Sequence, residues 1–242
     1  MRSSIVPLVA GFLAVAAEAR QATVAYPPLP KTAASAAGFA PSGWMVETQA
    51  RGDLNRDGLP DLAFVLLARE VSRAAGSTEA GKLPPGPARI LAIAFAQPRG
   101  GFELVLRDHR FLPRKRPPNG LSQGYMLFEN GSLDASGGRL RTVFEYTRGH
   151  TTFAFRWQNG AFALIGYDSA DVSGGCLTQL SIDFLSSRAK MTAGYIDSEK
   201  DQVRWRSLAR RPLLTLDRIG NGEDFDPYGL LTAFPLTCSQ TR

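Results

Sequence analysis

An all-β fold, made of antiparallel hairpins and meanders in a single domain with a minor helix, is predicted by three observations in this 242-residue chain. Asn130-Gly131 and Asn159-Gly160 each stand between segments of strand length. Asn-Gly is the strongest short-range hairpin signal, because both turn residues take positive φ. Phe153, Phe155 and Trp157 alternate with Ala154 and Arg156, a period of two that gathers three aromatics on one face of a strand. Leu62 to Leu67 is a continuous apolar run of strand length bounded by turn signals. At 44% hydrophobic and 21% charged, the chain has the composition of a globular protein with a sizeable core. No repeat of propeller-blade length is visible, so the expected architecture is a propeller-like fragment or a sandwich, not a full ring.

The first residues predict an export signal. Met1-Arg2-Ser3-Ser4 is a short basic start, and Ile5 to Ala17 is apolar but too short to span a bilayer. Ala17-Glu18-Ala19 fits a small-x-small cleavage site, so residues 1–19 are expected to be removed. Residues 20–43, rich in Ala, Pro and Ser, are expected to form a tether, and residues 44–242 the β domain. In that domain Trp44 to Gln49 leads into an acidic loop, and Leu62 to Leu67 leaves it. A Gly/Pro-rich loop covers 72–87, and Pro98 to Gly101 joins the strands Arg89–Ala96 and Phe102–Leu106. Tyr125–Glu129 with Ser132–Ala135, Thr151–Gln158 with Ala161–Tyr167, and Leu180–Leu185 with Arg188–Tyr195 are the further expected pairs. Gln202 to Arg211 is expected as a short helix.

Two cysteines, Cys176 and Cys238, in an exported chain predict one disulfide; two separately buried thiols are the alternative. They are too few and too far apart for a zinc site. The formal net charge is +6, concentrated at Arg107, Arg110, Arg114, Lys115 and Arg116 and again at Arg204, Arg206, Arg210 and Arg211. Such clusters suit an anionic polymer or a lipid headgroup, or are simply solvated. No nucleic-acid-binding motif accompanies them, so no nucleic-acid partner is expected, and no transmembrane segment remains after cleavage.

The acidic loop carries the main functional signal. Asp53, Asn55, Asp57 and Asp61 occupy positions 1, 3, 5 and 9, with Gly58 at position 6 and the Leu59 carbonyl at position 7. Calcium takes six to eight oxygens at roughly 2.3–2.6 Å, and a tight loop of this spacing can wrap it. Position 12 is Phe64 where an EF-hand has a bidentate glutamate, and strands flank the loop where an EF-hand has helices. Gly52 to Leu62 instead resembles the loop of FG-GAP or VCBS-type repeats. That resemblance implies a strand-loop-strand unit holding calcium through Asp53, Asn55, Asp57, the Leu59 carbonyl and Asp61. Asn130-Gly131-Ser132-Leu133, Phe153 to Gly166 and Ile182 to Ser186 also resemble exported bacterial envelope proteins carrying one such loop. A single copy departs from the propeller family, which carries several.

Catalytic patterns are weaker. Gly120-Leu121-Ser122-Gln123-Gly124 matches G-x-S-x-G, and Asp134 and His150 follow in triad order, but a nucleophile elbow needs a strand before the serine and a helix after it. Ser187-Arg188-Ala189-Lys190 matches S-x-x-K without its companion motifs. Asn221 to Asp226 is acidic and Gly-punctuated, either a weak second ion site or a solvated turn. The expected function is an exported, periplasmic or secreted calcium-binding β domain serving as a binding or structural module of the envelope. The alternatives are a hydrolase using Ser122 and His150 or a carboxylate pair, and a polyanion-binding module acting through the basic loop 107–116.

Overall fold

The computed structural model describes residues 26–69, 87–113, 132–146, 148–198, 201–233 and 238. Twelve strands form two antiparallel sheets among them, within the all-β class that the sequence predicts, and one sheet curls into a half-barrel. The five-stranded sheet has the order β1 (Thr32–Ala33), β5 (Phe102–Asp108), β4 (Arg89–Ala96), β3 (Asp61–Ala68), β2 (Trp44–Gly52). The seven-stranded sheet is a meander running from β6 (Leu133–Ser136) through β7 (Arg139–Tyr146), β8 (Gly149–Gln158), β9 (Ala161–Ser173), β10 (Cys176–Asp183) and β11 (Arg188–Tyr195) to β12 (Gln202–Ser207).

The uninterrupted apolar run of β3 is explained by burial on both faces. Ala63 and Val65, with Leu91 and Ile93 of β4, join the core shared with the seven-stranded sheet. Leu62, Phe64 and Leu66, with Ile90, Ala92 and Ala94, face a second cluster. That cluster is closed by the segment expected to be a tether, and for residues 26–43 the expectation is corrected. Thr32 and Ala33 pair with Glu103 and Phe102, and Ala36 to Phe39 form a 3-10 turn whose Phe39 stacks on Phe64 at 5.3 Å. Ala and Pro composition suggested a linker, but half the five-stranded sheet would stay bare without this cover. Arg107 fastens the segment by donating to the carbonyls of Tyr26 and Pro27 at 3.0 and 2.9 Å. A bidentate pair between Arg89 and Glu47, both contacts 2.7 Å, spans β4 and the bulged residue of β2.

In the main core Phe111 packs on Phe144, Phe153 and Phe155, with ring centroids at 5.3, 5.0 and 5.7 Å. Asp108 sets that ring in place: its Oδ1 accepts from the backbone of Arg110 and Phe111, both at 2.7 Å. Phe153 and Phe155 are fully buried, as their alternation predicts, and Trp157 packs partly buried against Phe95 and Phe162. Asn159 and Gly160 both take positive φ, 51° and 75°, in the turn joining β8 to β9. Asn130-Gly131, Tyr125–Glu129 and the 72–86 part of the Gly/Pro loop lie outside the described residues.

Gln202–Ser207 is a strand, not the expected helix. Val203 and Trp205 alternate with Arg204 and Arg206, a strand period, and β11 offers an open backbone edge to pair with. Short helices α1 (Leu216–Ile219) and α2 (Leu230–Ala233) follow, and Leu216 and Leu230 enter the main core. Cys176 and Cys238 form a disulfide that ties residue 238 to the start of β10. Among the described residues no helix is long and apolar enough to cross a membrane.

Candidate metal loop and its surroundings

The 53–61 loop joins β2 to β3, antiparallel strands paired from Gly52↔Asp61 onward. Two left-handed residues bend it, Arg56 at φ 67° and Gly58 at φ 87°. Arg56 is one of only four non-glycine residues with positive φ among the described residues, so the turn is imposed by the rest of the loop. The imposing contacts run from backbone N–H groups to side-chain oxygens of Asp53, Asn55 and Asp57. Asp53 accepts from Asp57 N through Oδ1 and from Gly58 N through Oδ2, each at 3.0 Å. Asn55 Oδ1 accepts from Asp57 N at 3.0 Å, and Asp57 Oδ1 accepts from Leu59 N at 2.8 Å. Asn55 Nδ2 donates to Asp57 Oδ2 at 2.9 Å. Asp53, Asn55 and Asp57 are therefore gathered around the turn, and each of these accepting oxygens still has a second lone pair.

Asp61 is placed differently. It is fully buried at the first residue of β3. Its Oδ2 accepts from Leu54 N at 2.8 Å and Asn55 N at 3.2 Å, and its Oδ1 accepts from Ala96 N at 2.9 Å. It thus latches the start of the loop to the end of β4. Desolvation by burial raises its pKa; the hydrogen bonds from Ala96, Leu54 and Asn55 oppose that shift, and the nearby Asp57 charge adds to it. Leu54, also buried, anchors the loop in the main core.

The loop also touches the other sheet. A Cβ on Gly52 would lie 1.5 Å from the carbonyl oxygen of Ala135 on β6, so only glycine permits this crossing of β2 and β6. The Arg56 side chain reaches the β6–β7 turn, where a Cβ on Gly138 would come within 2.9 Å of Arg56 Nε. The loop therefore sits where the two sheets meet. Its donor set is all oxygen, which suits a hard cation, and Asp53, Asn55 and Asp57 are the side chains arranged to take part. Both Oδ2 lone pairs of Asp61 face backbone N–H groups, leaving only Oδ1 with spare capacity. Among the described residues no group of three or more His, Cys, Asp or Glu side chains is placed to hold a metal ion.

The structure separates the other candidates. Ser122 and the basic residues Arg114, Lys115 and Arg116 lie outside the described residues. Asp134 pairs with Arg141 and Arg141 with Ala154, whereas His150 pairs with Glu145. Asp134 and His150 are thus two strands apart and four residues out of register, roughly 16 Å at normal strand spacings, too far to act together. Ser187 sits at φ 55° in the β10–β11 turn, while Lys190 lies on β11 with its Nζ 6.0 Å from the Trp205 ring. Asn221 Oδ1 caps a 3-10 turn by accepting from Glu223 N, and its Nδ2 donates to Asp224 Oδ2 at 2.6 Å. In the 107–116 cluster, Arg107 holds the N-terminal segment, and Arg110 pairs with Asp108 at 3.6 Å and donates to the Asp217 carbonyl.

One feature was missed by reading the sequence. On the outer face of the seven-stranded sheet the register aligns Thr152, Asp168, Ser181, Lys190 and Trp205 in one row across five strands. Two shallow grooves of about 480 and 300 Å³ flank this row, with Arg141 and Asp168 lining both. Ser181 Oγ donates to Asp168 Oδ1 at 2.6 Å across the groove floor. The polar half of each strand's alternation was the available signal, but which polar residues become neighbours depends on the register. Comparison with known proteins finds no match to a family model, a curated protein or a solved structure.

Proposed function

We propose that the chain is an exported calcium-binding β domain that serves as a binding or structural module of the cell envelope. The observation carrying this reading is the Asp53-Asn55-Asp57 cluster, drawn round a doubly left-handed turn at the junction of the two sheets. Asp53, Asn55, Asp57 and the Leu59 carbonyl would hold the ion, with Asp61 supplying its remaining Oδ1 lone pair. A bound cation would offset the mutual repulsion of three carboxylates and fix the loop that touches β6 and the β6–β7 turn. Its role is thus stabilising: it holds two sheets in register and leaves their outer surfaces to meet partners. The Cys176–Cys238 disulfide supports an oxidising compartment.

The test is thermal and urea unfolding in EDTA and in 10 mM calcium. Extracellular calcium sites have Kd values of about 10⁻⁴–10⁻³ M, so this concentration should add roughly 1.4–2.7 kcal/mol. Asp57→Ala should abolish the increment. Identical stability in EDTA and calcium, or an unchanged increment in Asp57→Ala, overturns the proposal.

A further inference from the structure

We infer that the outer face of the seven-stranded sheet binds an uncharged glycan chain in the trough formed by its two adjoining grooves. The inference rests on the binding role proposed above, whose ligand class it names, and needs no metal. The grooves, of about 480 and 300 Å³, both have Arg141 and Asp168 in their lining, so they meet at those side chains. Along β10 the lining runs from Asp183 to Gln179, roughly 14 Å, room for a short run of sugar rings. The floor is low because Ala154, Gly166 and Ala170 carry little or no side chain. Packing does not demand glycine at 166: a Cβ there would meet nothing closer than Ala154 Cβ at 3.4 Å, an ordinary contact. Its missing side chain keeps the trough open.

Basic and acidic groups line this trough without neutralising one another. Arg139 and Arg141 stand on β7 and Lys190 on β11, while Asp168 and Asp183 lie between them on β9 and β10. No ion pair joins any two of these residues. Asp168 Oδ1 accepts instead from Ser181 Oγ at 2.6 Å, and Asp183 accepts from Leu185 N and from Ser186 Oγ, each at 2.8 Å. Lys190 also rests 6.0 Å from the Trp205 ring, a contact that leaves its charge in place. Opposite charges held apart in one trough suit a ligand that donates to one and accepts from the other. A hydroxyl donates one hydrogen bond and can accept two, so a single sugar hydroxyl can bridge a carboxylate and a guanidinium.

Other occupants fit less well. A polyanion, whether nucleic acid or an anionic lipid surface, would be repelled by Asp168 and Asp183, and a polycation by Arg141 and Lys190. An extended peptide finds no backbone partners here, because the amides and carbonyls of β8, β9 and β10 are used in the ladder. The ordinary solvated face of an antiparallel sheet needs neither the low floor nor the grooves. An uncharged, hydroxyl-rich chain matches groups of both signs.

The experiment is an NMR titration of the full chain, in EDTA and in calcium, with chitopentaose, cellopentaose and maltopentaose. The charged comparators are the deacetylated, cationic form of chitopentaose, a hyaluronan hexasaccharide and phosphatidylglycerol vesicles. At least one neutral oligosaccharide should bind saturably and shift the amides of Arg141, Asp168 and Ser181. Each charged comparator should bind at least about tenfold more weakly. Asp168→Ala and Arg141→Ala should each weaken binding about tenfold, although they change the charge in opposite directions. Both side chains are exposed, so the thermal midpoint should stay near that of wild type. Gly166→Val, which fills the floor without changing the charge, should abolish binding. Should a variant fail to fold, the charged comparators on wild type still decide. The inference is overturned if no neutral oligosaccharide binds, if a charged comparator binds as tightly, or if Asp168→Ala or Arg141→Ala leaves affinity unchanged or raises it. Because the titration is run with and without calcium, its failure is separable from that of the metal site.

Discussion

Replacing Asp61 separates the latch function of this residue from the metal-binding role suggested by its position in the motif. In Asp61→Ala three backbone N–H groups, those of Leu54, Asn55 and Ala96, lose their acceptor. Leaving a buried donor unsatisfied costs about 1–3 kcal/mol. The Leu54 bond is buried and the other two part-buried, so water can reach the latter and the sum falls near 4 kcal/mol. Removing a carboxylate whose ionised form is disfavoured by burial offsets part of this cost, leaving a net loss of roughly 3 kcal/mol. Asp61→Asn keeps an oxygen for Leu54 and Asn55 but turns an amide NH₂ toward Ala96 N, so about half that loss is expected. Asp57→Ala, whose bonds are all at the exposed turn, should cost at most about 1 kcal/mol without metal. Urea unfolding followed by tryptophan fluorescence in EDTA gives all three values. An Asp61→Ala variant within about 0.5 kcal/mol of wild type would refute the latch, as would an alanine and asparagine of equal cost.

Gly52→Ala should destabilise by about 2–4 kcal/mol, because its Cβ would meet a backbone carbonyl that cannot move aside; a thermal midpoint like wild type's would show the crossing to be loose. Cys176→Ser should cost about 4 kcal/mol on the chain-entropy model for a closure of 62 residues, measured by urea unfolding against wild type under non-reducing conditions. Burial pushes the Asp183 pKa up, but hydrogen bonds from Ser186 Oγ, Ser186 N and Leu185 N together hold it below its ordinary value. A depressed folded pKa gives stability that is present above the unfolded value of about 3.9 and lost as pH falls through the folded one. The stability advantage of wild type over Asp183→Asn should therefore shrink below pH ~4, and a pH-independent difference would contradict it. Asp61, shifted upward, has the opposite sign: its contribution is greatest in acid and declines as pH rises through its folded value.

Strand period and turn chemistry made most of the meander legible. Asn159-Gly160 was readable because I′-type hairpins demand two positive-φ residues, and Phe153 and Phe155 because buried aromatics at alternate positions leave few other arrangements. Where local pattern and tertiary context parted, context prevailed. The segment from Tyr26 to Gly43 has linker composition, yet Phe39 is buried because the outer face of β3 and β4 needs cover. In Gln202–Ser207 the strand alternation of Val203 and Trp205 outweighs the helix propensity of the arginines, because β11 offers an edge to pair with.

The 53–61 loop divides along the same line. Spacing alone put Asp53, Asn55 and Asp57 on one tight turn, because alternate side chains in a loop bent by Gly58 converge whatever surrounds them. It could not reveal that Asp61 would be buried against Ala96, a contact across 35 residues set by the pairing of β3 with β4. Nor could it explain Gly52, whose missing side chain matters only because β6 passes there. The sequence by itself determined the all-β class, the hairpins and the oxygen donors of the loop, since these follow from short-range sterics and periodicity. Tertiary structure decided that the loop joins two sheets and that β12 is exposed at their margin, because register and sheet crossing are set by burial between segments far apart in the chain.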